Sequence, residues 1–189
     1  MMLLLRRVLG VYVALTMLTG LAYPLLLTGV AALAAPRLAT GSLVERDGRA
    51  VGSALLGQPF QAAGHFWSRP SATTPQPYNG AASGASNLGP TNPALRQLVA
   101  DRIAALRAAD PTARRIPVDL VTASASGLDP HISPAAAYYQ VHRVAVARSL
   151  NEGRLRALVE AHIEPRTLGV LGEPRVNVLG LNLALDAER

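Results

Sequence analysis

Residues 117–148 read PVDLVTASASGLDPHISPAAAYYQVHRVAVAR, and the fold of the chain is organised around them. The β-branched, apolar run 118–122 predicts a β-strand. The polar loop that follows turns at Asp129-Pro130. Ser133 is then a favourable N-cap, with Pro134 at the first position of a helix. The stretch therefore predicts a strand, a loop and a helix in close succession, and a loop held between two rigid elements is a common place for a binding surface.

The N-terminal part of the chain predicts a membrane helix. Residues 8–35 carry no charged side chain, and about 20 apolar residues suffice to cross a bilayer as a helix. Arg6 and Arg7 precede this run, so the positive-inside rule places residues 1–7 in the cytoplasm and residues 36–189 on the other side of the membrane. The alternative is a cleaved signal peptide, but the apolar core of such a peptide has only about 7–15 residues.

Composition narrows the classes of function. The formal net charge is +6, and all 18 basic residues are arginines scattered along the chain. Aromatic residues make up only 4% of the chain, so the basic positions lack the interleaved stacking residues of single-strand nucleic-acid binders. Cysteine is absent, which excludes disulfides, thiolate metal sites and cysteine nucleophiles. We therefore predict a membrane partner and no nucleic-acid partner.

Local patterns predict the remaining elements. Asp47-Gly48 between two short apolar runs is typical of a β-hairpin, and Asn92 and Asn151 are N-cap candidates for two further helices. The alternating run 175–185 predicts a last strand, with Asn177 and Asn182 of that run on opposite faces. Residues 68–93, rich in Ser, Thr, Pro, Gly and Asn, predict an ordered surface loop. The fold class is therefore α+β: one N-terminal transmembrane helix followed by a single mixed α/β domain.

The helix that begins at Pro134 is mostly apolar but carries one narrow polar stripe. Gln140 and Arg143, three residues apart, share that stripe. Such a stripe can dock a partner or a ligand, or it can simply face water. The sequence leaves both alternatives open.

The loop of the opening stretch contains the residue types of a serine hydrolase. Ser124, Ser126, Asp129 and His131 could be arranged as nucleophile, orienter and base. However, no Gly-x-Ser-x-Gly elbow is present, and three such residue types crowded on one loop rarely reach triad geometry. A membrane-anchored serine hydrolase or a binding module is therefore the alternative function, and neither is favoured.

Motifs for metal binding or nucleotide hydrolysis are also missing from the sequence. The four histidines have no metal-ligand spacing. A chain without lysine contains neither a phosphate-binding loop of the Gly-x-x-x-x-Gly-Lys-Ser/Thr type nor an Asp-Lys-Thr-Gly phosphorylation site. We therefore predict no metal site, no catalytic residue and no ATP hydrolysis by this chain alone.

Several longer motifs carry a resemblance to a known family. The motifs that carry it are FWSRPSA at 66–72, PYN at 77–79, SNLGP at 86–90, DLVTAS at 119–124, SGLDPHIS at 126–133 and RVNVL at 175–179. By these motifs the chain is similar to the C subunits of the bacterial Kdp potassium-transporting P-type ATPase, and the similarity runs from the membrane segment to about residue 186.

The resemblance implies an accessory subunit of a high-affinity potassium uptake system in the bacterial inner membrane. Its single helix would anchor a periplasmic domain, and its partners would be a potassium-binding, channel-like subunit, a P-type ATPase subunit and possibly a small single-span subunit. Those partners would carry the selectivity filter and the phosphorylated aspartate. The C subunit would stabilise the complex and promote ATP binding, with K⁺ as the transported ion and no firmly bound cofactor.

The resemblance also implies roles for individual residues. A glutamine described as a nucleotide contact in the family corresponds to Gln140. Family members usually have glycine where this chain has Ala85 and Ala125. The loops 68–93 and 122–133 are expected to meet partner subunits. The candidate partner contacts are Arg69, Tyr78, Asn79, Asn87, Ser124, Ser126, Asp129, His131 and Arg143.

Overall fold

The computed structural model describes residues 1–112 and 115–188. It divides into two compact units, Met1–Leu43 and Val44–Arg189. The first unit contains an apolar helix and the second contains both helices and short strands. The predicted α+β fold class is therefore confirmed.

A long apolar helix occupies most of the first unit. Its parts, with the short helix that follows, are α1 (Met2–Met17), a π-helical turn (Leu18–Ala22), α2 (Tyr23–Ala34) and α3 (Pro36–Ala39). Pro24 accounts for the π-helical turn, because its ring lacks an N–H and crowds the carbonyl one turn earlier, and a wider turn relieves that crowding. In the described chain, Met2–Ala34 is the one helix long and apolar enough to cross a membrane, with a mean hydropathy of 1.7.

The predicted β-hairpin is confirmed. Strand β1 spans Leu43–Arg46 and strand β2 spans Arg49–Ser53. Between them, Asp47 has φ 52° and Gly48 has φ 72°. Two successive positive φ values are what a two-residue turn requires if it is to match the twist of its strands, and aspartate followed by glycine tolerates them best.

The core of the second unit lies between a small antiparallel sheet and the helices packed against it. The strands are β3 (His131–Ile132), β4 (Ile163–Glu164) and β5 (Arg175–Asn177), in the order β3-β5-β4. Ile132 and Ile163 both lie opposite Val176, which is fully buried. The helices are α4 (Pro93–Ala109), α5 (Pro134–Arg148), α6 (Glu152–Ala161) and α7 (Val178–Ala187).

Three helix starts were correctly predicted from their N-caps. Asn92 accepts a hydrogen bond from the backbone N–H of Ala94, and Ser133 accepts one from Ala136. Asn151 accepts from the N–H groups of Gly153 and Arg154. Each cap satisfies backbone donors that have no partner inside the helix.

The predicted strand at 118–122 is wrong, because this run forms a 3₁₀ turn at Val118–Leu120. The hydroxyl of Thr122 donates to the carbonyl of Val118, which holds the run in a tight turn. The side-chain pattern is also not that of a strand: Val118 is 70% exposed, while Leu120 and Val121 are both buried. The strand of this stretch is instead β3, which follows the loop.

The predicted strand at 175–185 is only partly correct, because β5 ends at Asn177 and α7 begins there. The side chain of Asn177 accepts from the N–H of Gly180 and caps the helix. Val178, Leu181 and Leu185 are buried, at the three- and four-residue spacing of a helix. Asn182 therefore lies on a helix and not on the opposite face of a strand. Over a short run, the same residues fit both the period of a strand and the period of a helix. Here the burial of the apolar side chains in the core decides for the helix.

Candidate functional site

Two loops, 68–93 and 122–133, are joined into one surface. The hydroxyl of Ser71 donates to the carbonyl of Gly127 over 2.7 Å, and the same oxygen accepts from the N–H of Tyr78. The N–H of Gly84 donates to the carbonyl of Ser126. The predicted ordered surface loop at 68–93 is thus confirmed. Its side chains bond its own backbone, as they do in compact loops without regular structure.

A cleft of about 620 Å³ opens on this surface, and we call it the loop cleft. Its lining residues are Leu55, Leu56, Arg69, Ser124, Ala125, Ser126, Leu128, Asp129 and Pro130. Apolar side chains of the segment after the hairpin thus face the charged and hydroxyl groups of the two loops. This combination of apolar wall and few polar groups is typical of recognition sites.

An ion pair between the two loops lies at the loop cleft. Nη1 of Arg69 is 3.0 Å from Oδ2 of Asp129, and their side chains are 25% and 28% exposed. The other carboxylate oxygen, Oδ1, accepts from the N–H of His131 at 3.0 Å and lies 3.4 Å from its Nδ1. Burial alone would raise the pKa of Asp129, but the hydrogen bonds from His131 and the charge of Arg69 outweigh it, so the pKa is lowered. Asp129 is therefore a stable anion at neutral pH.

Tyr78 supports Arg69 from below the surface. Its hydroxyl donates to the carbonyl oxygen of Arg69, and burial raises its pKa. Tyr78 has φ 56°, a left-handed conformation that is uncommon for a bulky residue and that the surrounding bonds must hold in place. The phenol is therefore a neutral hydrogen-bond donor that fixes the backbone next to the ion pair.

Gly127 brings the two loops together at close range. It has φ 68°, and a Cβ built on it would lie 2.6 Å from the Cγ2 of Thr73 and 2.8 Å from the carbonyl oxygen of Gly84. Both the backbone conformation and the approach therefore require glycine. Ala85 and Ala125 are not among the described residues with positive φ, so the alanines impose no left-handed strain.

The remaining loop candidates have different surroundings. Asn79 is bonded within its own loop, accepting from Ala81 and donating to Thr74, whereas Asn87 is exposed. The hydroxyl of Ser126 accepts from Leu128, and Ser124 is buried. None of the hydrogen bonds of the described residues joins either serine to His131, so the nucleophile-to-base contact of a hydrolase is not formed.

Gln140 and Arg143 lie apart from the exposed candidates, in the interior. They are 1% and 6% exposed, and the interpretation of their stripe as water-facing is wrong. Oε1 of Gln140 accepts from the N–H of Trp67 over 2.7 Å, and Nε2 donates to the Trp67 carbonyl. The guanidinium of Arg143 lies 4.2 Å from the centre of the Trp67 ring. The chain's own segment 62–68 covers the polar stripe, and a nucleotide contact at Gln140 stays a prediction.

The sequence of residues 5–187 matches the model of one protein family, described as KdpC, the c chain of K⁺-transporting ATPase. The chain belongs to the KdpC family. It is 63% identical over 186 residues to the potassium-transporting ATPase KdpC subunit of Sorangium cellulosum, covering 98% of each chain. It is 61% identical over 187 residues to that of Methylibium petroleiphilum, again covering 98% of each. It is 62% identical to that of Polaromonas naphthalenivorans, covering 97% of this chain and 94% of the relative.

Several residues that build the site in this KdpC-family chain were missed by sequence reasoning. Asp119 accepts from the N–H of Ser133 over 2.7 Å and so holds the start of α5, where a carboxylate also complements the helix dipole. Asn182 pairs with both backbone groups of Phe66. Asn182 had a signal, because it is a lone amide in an apolar run, and such a residue needs a buried partner. Ser71 had no comparable signal in the sequence beyond its place in a polar loop.

The described residues of this KdpC-family chain contain no group of three or more His, Asp or Glu side chains that could hold a metal ion. Several of their ionisable groups form ion pairs. Asp186, for example, lies 2.5 Å from Nη2 of Arg148 and 3.3 Å from Nε2 of His65. At the loop cleft, the ion pair of Arg69 and Asp129 and the hydroxyl of Ser126 offer recognition by charge and hydrogen bonding.

Proposed function

We propose that the chain is a non-catalytic accessory subunit of a potassium-transporting ATPase. In this role it stabilises the complex of the channel-like and ATPase subunits and promotes ATP binding by the pump. The observation that carries the proposal is the loop cleft, where Arg69 and Asp129 form a rigidly held, partly exposed ion pair. It is joined by a match over nearly the whole chain to relatives named potassium-transporting ATPase KdpC subunit.

The proposed topology follows from the N-terminal helix. Residues 8–35 cross the bacterial inner membrane, residues 1–7 are cytoplasmic and residues 36–189 are periplasmic. Arg6 and Arg7 at one end of the apolar run support this orientation. The channel-like subunit and the P-type ATPase subunit are the proposed partners, and K⁺ is the ion that the complex transports.

The proposed partner contacts lie on the two loops that form and flank the loop cleft. About one quarter of each side chain in this ion pair is exposed. A partner's polar groups can replace the water at that exposed part while the two side chains keep their positions. His131 and Ser126 add hydrogen-bonding groups beside it, and Asn87 adds an exposed amide. Arg143 is excluded from this surface, because its guanidinium is buried against segment 62–68.

The test is replacement of the ion pair in the assembled complex. Asp129→Asn and Arg69→Met are expected to lower the recovery of the tagged complex from membranes, and its K⁺-stimulated ATP hydrolysis, by about tenfold, between the small effect of losing a rim charge and the larger effect of breaking a fully buried charge pair. The matched control is Arg154→Met, which removes an ion pair with Glu188 away from the loop cleft and is expected to change neither. Unchanged recovery and ATPase activity in both cleft variants would contradict the proposed function.

A further inference from the structure

Segment 62–68 is held in place by two primary amides on two different helices. Gln140 of α5 pairs with both backbone groups of Trp67, at 2.7 Å and 3.1 Å. Asn182 of α7 pairs with both backbone groups of Phe66, at 2.8 Å and 2.9 Å. Each amide thus makes the two backbone hydrogen bonds that a neighbouring strand would otherwise make to this segment. Both side chains are 1% exposed. We call this arrangement the amide clamp.

Arg143 locks the amide clamp from the side. Its guanidinium donates to Oε1 of Gln140 over 2.7 Å, to the carbonyl of His65 over 2.9 Å and to the carbonyl of Ala63. It also lies over the ring of Trp67. A cation surrounded by three acceptors and an aromatic face leaves the segment few alternative positions.

Every hydrogen-bonding position of the Gln140 amide is used inside the chain. Oε1 has two lone pairs, and they accept from Trp67 and Arg143. Nε2 has two N–H groups, which donate to the carbonyls of Trp67 and Ala136. A side-chain amide offers no further position. Any ligand that bonded Gln140 would have to break a buried pair.

The amide clamp is directly connected to the loop cleft. Arg69 lies two residues beyond Trp67, and its carbonyl receives the hydroxyl of Tyr78. The ion pair with Asp129 therefore depends on where the clamp places the backbone of Trp67. We infer that Gln140 is a positioning residue: its amide sets Trp67, and through it Arg69, so that the loop cleft is presented to the partner subunits in one geometry.

This inference rests on the proposed function of the loop cleft, and the test separates the two. Trp67 is the one tryptophan of the chain, so its emission and its amide hydrogen exchange report on the clamp in the isolated full-length protein in detergent. Gln140→Met and Asn182→Leu are matched variants, since each removes one amide of the clamp. Both are expected to speed exchange at Phe66 and Trp67 at least about tenfold. Unchanged exchange in both would overturn the inference, whatever the complex does.

The second measurement is made on the assembled complex. Both variants are expected to lower complex recovery and K⁺-stimulated ATP hydrolysis, and because both act through the loop cleft, KM for ATP is expected to change equally in both. Combined with Asp129→Asn, Gln140→Met is expected to add little, because both act through the loop cleft. If Gln140→Met raised KM for ATP several-fold while Asn182→Leu did not, Gln140 would be a nucleotide contact and the inference would be overturned.

A third variant covers the case in which the apolar replacements do not fold. Gln140→Glu keeps both acceptor contacts, to Trp67 and to Arg143, whose charge pairs with the carboxylate, but its second oxygen faces the carbonyls of Trp67 and Ala136 and repels them. It is expected to weaken the clamp from one side, so exchange at Trp67 becomes faster and ATPase activity falls with it. Loss of activity equal to that of an unassembled chain, with exchange at Trp67 unchanged, would contradict a positioning role.

Discussion

Replacing Arg143 with methionine tests whether the buried guanidinium stabilises the second unit. Arg143→Met removes the donor of three hydrogen bonds while nearly keeping the apolar length of the side chain. Oε1 of Gln140 keeps its bond from the N–H of Trp67, so the acceptors left without a donor are the carbonyls of Ala63 and His65. An acceptor left unpaired costs about 1–3 kcal/mol, or about 4 kcal/mol for both carbonyls, and the lost contact with Trp67 adds about 1 kcal/mol.

Part of this loss is offset, because the variant no longer buries a charge. Burial lowers the pKa of Arg143 from its usual range to about 10, although the nearby Asp110 and Tyr139 oppose the shift. At about 1.4 kcal/mol per tenfold change, the buried cation costs about 3 kcal/mol. Subtracting this from a total loss of about 5 kcal/mol leaves an expected net destabilisation of about 2 kcal/mol.

The assay is urea unfolding of the full-length protein in detergent, followed by the emission of Trp67. A loss of about 2 kcal/mol corresponds to a midpoint lower by about 1–2 M urea. Arg156→Met is the control, because Arg156 is exposed and lies 5.9 Å from the centre of the Tyr138 ring; it is expected to change stability by less than about 0.5 kcal/mol. A midpoint unchanged or raised by Arg143→Met would refute the reasoning, since it would mean that the charge costs more than its bonds return.

Three further predictions use the same unfolding measurement. Gly127→Ala is expected to lower the free energy of unfolding by about 1–3 kcal/mol, because alanine is strained in the left-handed conformation and contacts the neighbouring loop. Gly84→Ala is the control, since Gly84 has open space around it, and it should lower the free energy of unfolding by less than about 1 kcal/mol. Equal effects of the two substitutions would contradict the argument. Burial would raise the pKa of Asp186, but Arg148 outweighs it and the pKa is lowered, so its stabilisation is present above pH 3.8 and lost as the pH falls through the folded-state value. Asp186→Asn should therefore lose stability at pH 7 and converge with the unmodified protein in acid, and a constant gap would argue against the pair. Asn177→Ala should cost about 1 kcal/mol as a lost helix cap, and no change would show that tertiary packing alone starts α7.

The elements predicted correctly are those whose cause lies within a few residues. Asn92 caps its helix through a bond to a residue two positions away, and the hairpin turn needs only the φ preferences of Asp47 and Gly48. The apolar run before residue 36 is helical for an equally local reason, since its composition supports one long helix. These features required no knowledge of the rest of the fold.

The loops of the candidate site could be located in the sequence but not joined. The motifs around Arg69 and Asp129 were both identified as candidate contacts, yet the two residues are separated by 60 positions. Gly127 could be expected to turn the chain, but its contact with Thr73 and Gly84 follows only from how the loops fold. Pairing across such a separation depends on the packing of everything in between.

The sequence by itself determined an apolar N-terminal helix, the capped starts of α4, α5 and α6, and a β-hairpin, because each rests on interactions between neighbours in the chain. Only the tertiary structure decided that the run after Asn177 packs as a helix and that the polar stripe of α5 turns inward. Both outcomes depend on burial: apolar side chains at 178, 181 and 185 enter one core, and the amide of Gln140 finds the backbone of Trp67 there. A buried polar group needs a partner, and a period in the sequence does not say where that partner will be.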